Sequence, residues 1–246
     1  PKRDIEIVNT ELIMADYESV ENSIAKVDRK AATKDKLAIA QYKMLLRIKD
    51  ALSAGKPARS LEYDDQEKEL LKSFHLLTLK PVIYIANMSE DDISDPFRSP
   101  LFQKVKAYAE GEKAPVLPIC AKIEEELAGL GMDEKRAFLE ELGVKETGLD
   151  QIVKTAYDML GLRTFFTVGE PEVRAWTFLE GMKAPQCAGI IHTDFERGFI
   201  KAEIYSYEDL MKYGSELAVK EAGRLRIEGK EYVVQDGDIV FFRFNV

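Results

Sequence analysis

Pro81-Val82-Ile83-Tyr84-Ile85-Ala86-Asn87-Met88-Ser89-Glu90 is the stretch on which the reading of this chain turns. Uncharged residues run from Pro81 to Asn87, and an acid follows three positions later. A short apolar run of this length, bounded by a turn signal, predicts a buried strand. Asn-x-x-acid at the end of such a strand resembles the pattern with which a class of nucleotide-binding proteins holds a purine base. By itself, an Asn before a turn is commonplace. Binding a nucleotide also takes a phosphate cradle, and no Gly-x-x-x-x-Gly-Lys-Ser/Thr occurs in the chain. The base reader stands without its phosphate site.

Before this stretch, Ile5, Val8, Leu12, Ala15, Val20, Ile24 and Val27 mostly recur at three- and four-residue steps, which predicts an amphipathic helix from Asp4 to about Lys30. A second helix is expected from about Lys34 to Ser53 along Leu37, Gln41, Leu45, Ile48 and Leu52, ended by Ala54-Gly55-Lys56-Pro57. Two long helices with a short link make an antiparallel hairpin. Its tip is basic: Lys26, Arg29, Lys30, Lys34, Lys36, Lys43, Arg47 and Lys49 face only Asp28 and Asp35. Such a run is either a solvated helix surface or a contact for a phosphate backbone. Asp64-Asp65-Gln66-Glu67 then offers an N-cap for a helix through Leu70, Leu71, Phe74 and Leu77.

After it, a helix is expected over Leu101 to Glu110 and a second short buried strand over Pro115 to Cys120, despite its two prolines. Helical spacing returns over Lys122 to Leu130, Asp133 to Leu142 and Leu149 to Leu160. Strands separated by helices predict the end of a parallel α/β sheet. Near Gly161 the pattern changes. Alternation and β-branched or aromatic content predict strands at Thr164 to Val168, Ala175 to Leu179, Phe199 to Tyr205 and Ile239 to Phe244. Turns fall at Gly169-Glu170-Pro171 and Asp236-Gly237-Asp238, with helices near Tyr207 to Tyr213 and Ser215 to Ala222. This is a small α+β module of β-grasp size.

At 246 residues with a formal charge of −9, the chain does not suit binding nucleic acid over its whole surface, so any RNA contact is regional. Cys120 and Cys187 are far apart and read as free thiols of a reducing compartment. No apolar run reaches the roughly 20 residues of a membrane span, and Pro1-Lys2-Arg3-Asp4 is unlike a signal peptide, so a cytoplasmic protein without membrane contact is expected. His192 and Asp194 lack a partner nucleophile and read as a structural or interaction loop; His75 reads as packed or surface, and Trp176 as core.

The chain resembles the YchF-type, Obg-like ATPases of the P-loop GTPase superfamily through Arg174-Ala175-Trp176-Thr177, Ala184-Pro185-Gln186, the run Ile191-His192-Thr193-Asp194-Phe195-Glu196-Arg197-Gly198-Phe199-Ile200, Lys220-Glu221-Ala222-Gly223, Glu228-Gly229-Lys230-Glu231-Tyr232 and Asp236-Gly237-Asp238. Leu79-Lys80-Pro81-Val82-Ile83-Tyr84-Ile85-Ala86-Asn87 and the opening Asp4-Ile5-Glu6 extend it over essentially the whole chain. The resemblance implies a helical-hairpin (coiled-coil) insertion over residues 1–62, the C-terminal part of a P-loop nucleotide-binding α/β domain over 63–162, and a TGS domain of β-grasp fold over 163–246. It also implies ATP with Mg²⁺ as ligands and ribosome or RNA as partner. On this resemblance Asn87, Met88 and Glu90 form the adenine-side pocket, because Glu90 and Met88 stand where guanine readers carry Asp and Lys. Cys120, Ala121 and Lys122 take the place of the superfamily's Ser-Ala-Lys loop. Arg29, Lys30, Lys34 and Lys36 are the candidate nucleic-acid contacts. The chain resembles a member without its first third, where the P-loop and metal ligands lie. It is therefore expected to be inactive alone, and to leave apolar sheet edges that a second chain could cover. The alternative is a nucleotide-independent interaction module made of the hairpin and TGS domain.

Overall fold

The structure, a computed structural model, describes residues 1–31, 35–169 and 172–245, and residues 29–31 by backbone alone. The chain divides into two compact units, Pro1–Ile152 and Val153–Val246.

In the first unit, α1 (Lys2–Ala31) and α2 (Lys36–Ser53) pack along one another. Asp35 caps α2, its carboxylate accepting the Leu37 N–H at 2.9 Å, as an N-cap acid should. The apolar stripes meet as anticipated: Val20 of α1 is buried against Met44, Leu45, Ile48 and Leu52 of α2, with Ile13, Tyr17, Ile24 and Val27 beside them. Lys49 pairs with Glu21 across the helices at 2.7 Å. A 3-10 turn (Ala58–Ser60) leads to α3 (Asp65–Leu71), started by a capping box in which Asp64 and Glu67 satisfy each other's backbone N–H.

The expected continuation of α3 to Leu77 does not occur. The buried Asp16 carboxylate accepts the N–H groups of Leu77 and Thr78 at 2.8 and 2.7 Å, taking donors that a helix would have used, and His75 adopts a φ of 51°. The following strand is also shorter than Pro81 to Ala86 suggests. β1 (Tyr84–Asn87) begins only at Tyr84 and is half exposed rather than buried, with Ile85 at 53% exposure. It has one neighbour, the parallel β2 (Val116–Ile119), in the register Tyr84↔Val116 to Asn87↔Ile119.

Between the strands lie α4 (Glu90–Ile93), a 3-10 turn (Pro96–Arg98) and α5 (Pro100–Gly111); after β2 come α6 (Ala121–Ala128), α7 (Met132–Glu141) and α8 (Gly148–Met159). One carboxylate gathers several of these elements. Glu112, just past α5, accepts from Arg59 at 2.8 Å, from the Tyr84 hydroxyl at 2.9 Å and from Asn9 of α1 at 3.3 Å. Burial raises the Glu112 carboxyl's pKa, but hydrogen bonds from Arg59 and Tyr84 and the Arg59 charge outweigh it and hold the group below its ordinary value.

The second unit holds a five-stranded sheet in the order β4-β3-β7-β5-β6, where β3 is Leu162–Val168, β4 Val173–Leu179, β5 Phe199–Ser206, β6 Arg226–Glu228 and β7 Asp238–Phe244. β3 and β7 run parallel and the other pairs antiparallel. Phe165, Phe178, Ala202, Ile204, Val240 and Phe242 form a core closed by α9 (Ala184–Ile191) through Ala184, Cys187 and Ala188. α10 (Thr193–Arg197) follows α9, and α11 (Tyr207–Tyr213) and α12 (Glu216–Glu221) follow β5. Gly198, between α10 and β5, lies where a Cβ would run into the Asn245 carbonyl. Buried Asp238 accepts from the Tyr232 hydroxyl at 2.8 Å and the Gln235 N–H at 2.9 Å, while Arg226 stands at 3.4 Å. α9, α10 and β6 are elements that periodicity did not reveal.

Candidate functional site

Because β1 and β2 are parallel and in register, their carboxyl ends release two loops side by side, the location where α/β folds place ligands. Three contacts tie the loops. The Asn87 side-chain oxygen accepts the Ala121 N–H at 3.1 Å, the Met88 N–H donates to the Ile119 carbonyl at 2.8 Å, and Lys122 Nζ stands 2.5 Å from Glu90 Oε1. Ala121 opens α6, so its N–H has no carbonyl four residues back, and Asn87 supplies the missing acceptor. With the oxygen engaged, the Asn87 amide NH₂ is left without a protein partner among the described residues. It is a donor available to a ring nitrogen.

The six residues expected here are thus brought together, but they do not contribute alike. Asn87, Glu90, Ala121 and Lys122 are exposed, and Met88 is half-buried. The Met88 N–H is committed to Ile119, which leaves its carbonyl and thioether for a ligand. Cys120 is buried against Ile123 and Leu127 as a free thiol, so only its backbone can serve the site. The Glu90 hydrogen bond and charge raise the pKa of Lys122. The Asn87–Ala121 link and the Lys122–Glu90 pair were not foreseen. Their sequence signal was only the spacing of two loop motifs. A groove lined by Leu127, Met132, Leu139 and Leu149 adjoins α6 and takes in none of Asn87, Met88 and Glu90.

Among the described residues no group of three or more His, Cys, Asp or Glu side chains is placed to hold a metal ion. Of the candidate nucleic-acid contacts, Lys36 is exposed in the first turn of α2. Arg29 and Lys30 belong to α1 with side chains outside the described residues, as is all of Lys34. The expected turn at Gly169-Glu170-Pro171 also falls partly outside them. Arg47 and Lys49 are engaged by Glu67 and Glu21. No described helix is long and apolar enough to cross a membrane.

His192 plays a structural part, since its Nδ1 accepts the Asp194 N–H at 3.2 Å and caps α10. His75 is exposed. Trp176 is half-buried, stacked on Phe165 and bonded to the Thr167 hydroxyl at 2.9 Å, with the Arg174 guanidinium 4.0 Å from the centre of its ring. Cys187 is a buried free thiol whose pKa burial pushes up to about 12, which makes it unreactive.

Residues 162–245 match the family YchF-GTPase_C, described as a protein of unknown function (DUF933). Over 246 residues the chain is 55% identical to the ribosome-binding ATPase YchF of Bacillus subtilis and 45% identical to that of Pasteurella multocida, covering 100% of this chain and 67% of each relative. The solved YchF GTPase of Schizosaccharomyces pombe superposes with a TM-score of 0.86 at 35% identity, over 99% of this chain and 66% of that one. The chain spans about two thirds of the length of these relatives. With two parallel strands carrying Asn87 and the Cys120-Ala121-Lys122 loop, the chain belongs to the YchF-type, Obg-like family of the P-loop GTPase superfamily.

Proposed function

We propose that this chain is the base-reading and partner-binding part of a ribosome-associated, adenine-preferring ATPase. The observation that carries the reading is the Asn87 amide, fixed by the Ala121 N–H and left with a free donor at the open end of β1. That donor suits a purine ring acceptor, and the Met88 thioether suits the base's flat face. A guanine reader needs a carboxylate placed for two parallel hydrogen bonds; Glu90 is one methylene longer and is held by Lys122. When bound, ATP with Mg²⁺ would supply the phosphate chemistry. The residues of this chain hold only the base, and no hydrolytic step is assigned to them.

The domain reading follows the same line. Residues 1–62 form the antiparallel hairpin insertion, 63–162 the end of the nucleotide-binding domain, and 163–246 a TGS domain, whose β-grasp assignment is supported by the sheet order β4-β3-β7-β5-β6. The names of the relatives support the ribosome as partner, with Arg29, Lys30, Lys34 and Lys36 as the basic contact. A ribosomal partner implies work in the cytoplasm. The open side of β1, with Ile85 outward, is a place a second chain could cover.

Fluorescent ATP and GTP analogues titrated into this chain and into the longer Bacillus subtilis relative test the reading. Adenine preference in the relative, with weak binding and no turnover in this chain, is expected. Equal tight binding by both proteins, or turnover by this chain, would refute the division of labour. The alternative, a nucleotide-independent interaction module, predicts ribosome co-sedimentation that added nucleotide leaves unchanged.

A further inference from the structure

We propose that Lys122 sets the purine preference of this site by holding the Glu90 carboxylate away from the base. The inference rests on the base-site reading above and assigns the discrimination within it. Asn87 cannot discriminate through its free donor, because adenine and guanine both present an acceptor at N7. Its oxygen is committed to Ala121. Glu90, three residues further on, is the group whose chemistry separates the bases. A carboxylate only accepts hydrogen bonds; guanine offers donors at N1 and its 2-amino group, where adenine offers an acceptor at N1 and no amine. A free Glu90 would therefore favour guanine and repel adenine.

Glu90 is not free. Lys122 Nζ stands 2.5 Å from its Oε1, and the pair bridges the first residue of α4 to the first turn of α6. The ammonium engages one of the carboxylate's oxygens and offsets part of its charge, which hinders a two-point contact with guanine and weakens the repulsion toward adenine N1. Glu90 and Lys122 have side-chain exposures of 44% and 68%, so either can be changed without opening the core. The same exposure limits the size of the effect. An exposed ion pair shifts an equilibrium by a few-fold, not by orders of magnitude.

The test uses the isotope-labelled 246-residue chain titrated with AMP and GMP, reading the amide signals of Met88, Ala121 and Lys122. The wild-type chain is expected to favour AMP. Lys122→Ala is expected to move the AMP-to-GMP affinity ratio about two- to fivefold toward GMP, the range of an exposed pair. Lys122→Arg, which keeps the charge, should restore the wild-type ratio, and Glu90→Gln should remove the effect of Lys122→Ala in the double variant. If Lys122→Ala leaves the ratio unchanged while AMP still shifts the three signals, the role of Lys122 is wrong and the base site stands. If neither nucleotide moves those signals in the wild-type chain, the base site itself is wrong, and the inference falls with it.

Discussion

Phe165 lies fully buried on β3, an interior strand of a five-stranded sheet, whereas Ile85, on β1, is 53% exposed in a sheet of two. The first is stacked with Trp176 and meets Phe178 and Phe242 edge to face. The second lies on a strand with one hydrogen-bonded neighbour. The second unit is thus specified by burial of its own aromatic core, and the region around β1 by polar links between loops and helices. Substitutions in the two places should fail differently. In the second unit they should cost stability; around β1 they should alter a binding surface while the fold persists.

The sharpest way to break this contrast is to truncate both residues. Phe165→Ala is expected to destabilise the second unit by about 3–5 kcal/mol, the cost of removing a buried ring, and Ile85→Ala by no more than about 0.5 kcal/mol. Trp176 is the sole tryptophan and lies in the second unit, so its fluorescence in a denaturant titration reports that unit directly. For Ile85→Ala the readout is hydrogen exchange of residues 84–87, and a comparable loss there would mean that β1 is more deeply covered in solution.

Glu112 tests the polar half of the contrast. Removing its carboxylate strips a charged acceptor from Arg59, Tyr84 and Asn9, and Glu112→Ala is expected to cost about 2 kcal/mol. Hydrogen exchange of residues 84–87 and 116–119 should speed up while Trp176 unfolding is unchanged. The pH dependence has a defined sign. The folded pKa of Glu112 lies below the ordinary 4.5, so its contribution is fully present above about pH 4.5 and is lost as pH falls through the depressed value. In Glu112→Gln that acid-side loss in residues 84–87 should shrink. An unchanged acid limb would place the sensitivity in another carboxylate.

Asn87→Ala should cost less, about 1 kcal/mol, because the orphaned Ala121 N–H is exposed and water can replace the lost acceptor. Its effect on AMP-induced shifts at Met88 and Ala121 should be complete. Loss of the shifts with a native-like amide spectrum would sharpen the view of a surface held by loop links. Global spectral change would contradict it.

The same contrast explains what could be read from the sequence. The long helices were legible because their apolar stripes at Val20, Leu45, Ile48 and Leu52 carry the packing, and period reports packing. The strands of the second unit other than the three-residue β6 are legible for the same reason. The helical spacing runs past the end of α3 to Leu77, whose N–H and that of Thr78 go to Asp16, about sixty residues away, a partner no local pattern reveals. β1 was overread as buried because residue types report apolarity, not the number of neighbouring strands. α9 was missed in a short apolar stretch after Pro185, too brief for periodicity to separate helix from loop. Asn87 and the Cys120-Ala121-Lys122 segment stand out in the sequence as motifs, and the structure sets them side by side. That Cys120 points inward and that Lys122 meets Glu90 depend on the register of β1 against β2.

Lys36 provides the smallest effect and separates a third kind of surface from the other two. It is exposed in the first turn of α2, so Lys36→Glu should leave stability within about 0.5 kcal/mol and leave AMP-induced shifts unaltered. If the basic tip meets a phosphate backbone, co-sedimentation with Bacillus subtilis ribosomes should weaken, and the salt slope of log affinity should fall by about one unit per lost contact. A purely solvated helix face would show neither change. The two outcomes are distinguishable because salt acts on released counterions, whereas Lys36 takes no part in the core contacts or in the proposed base site. A reduced slope together with intact AMP shifts would therefore separate a partner contact at the start of α2 from the proposed base site at Asn87.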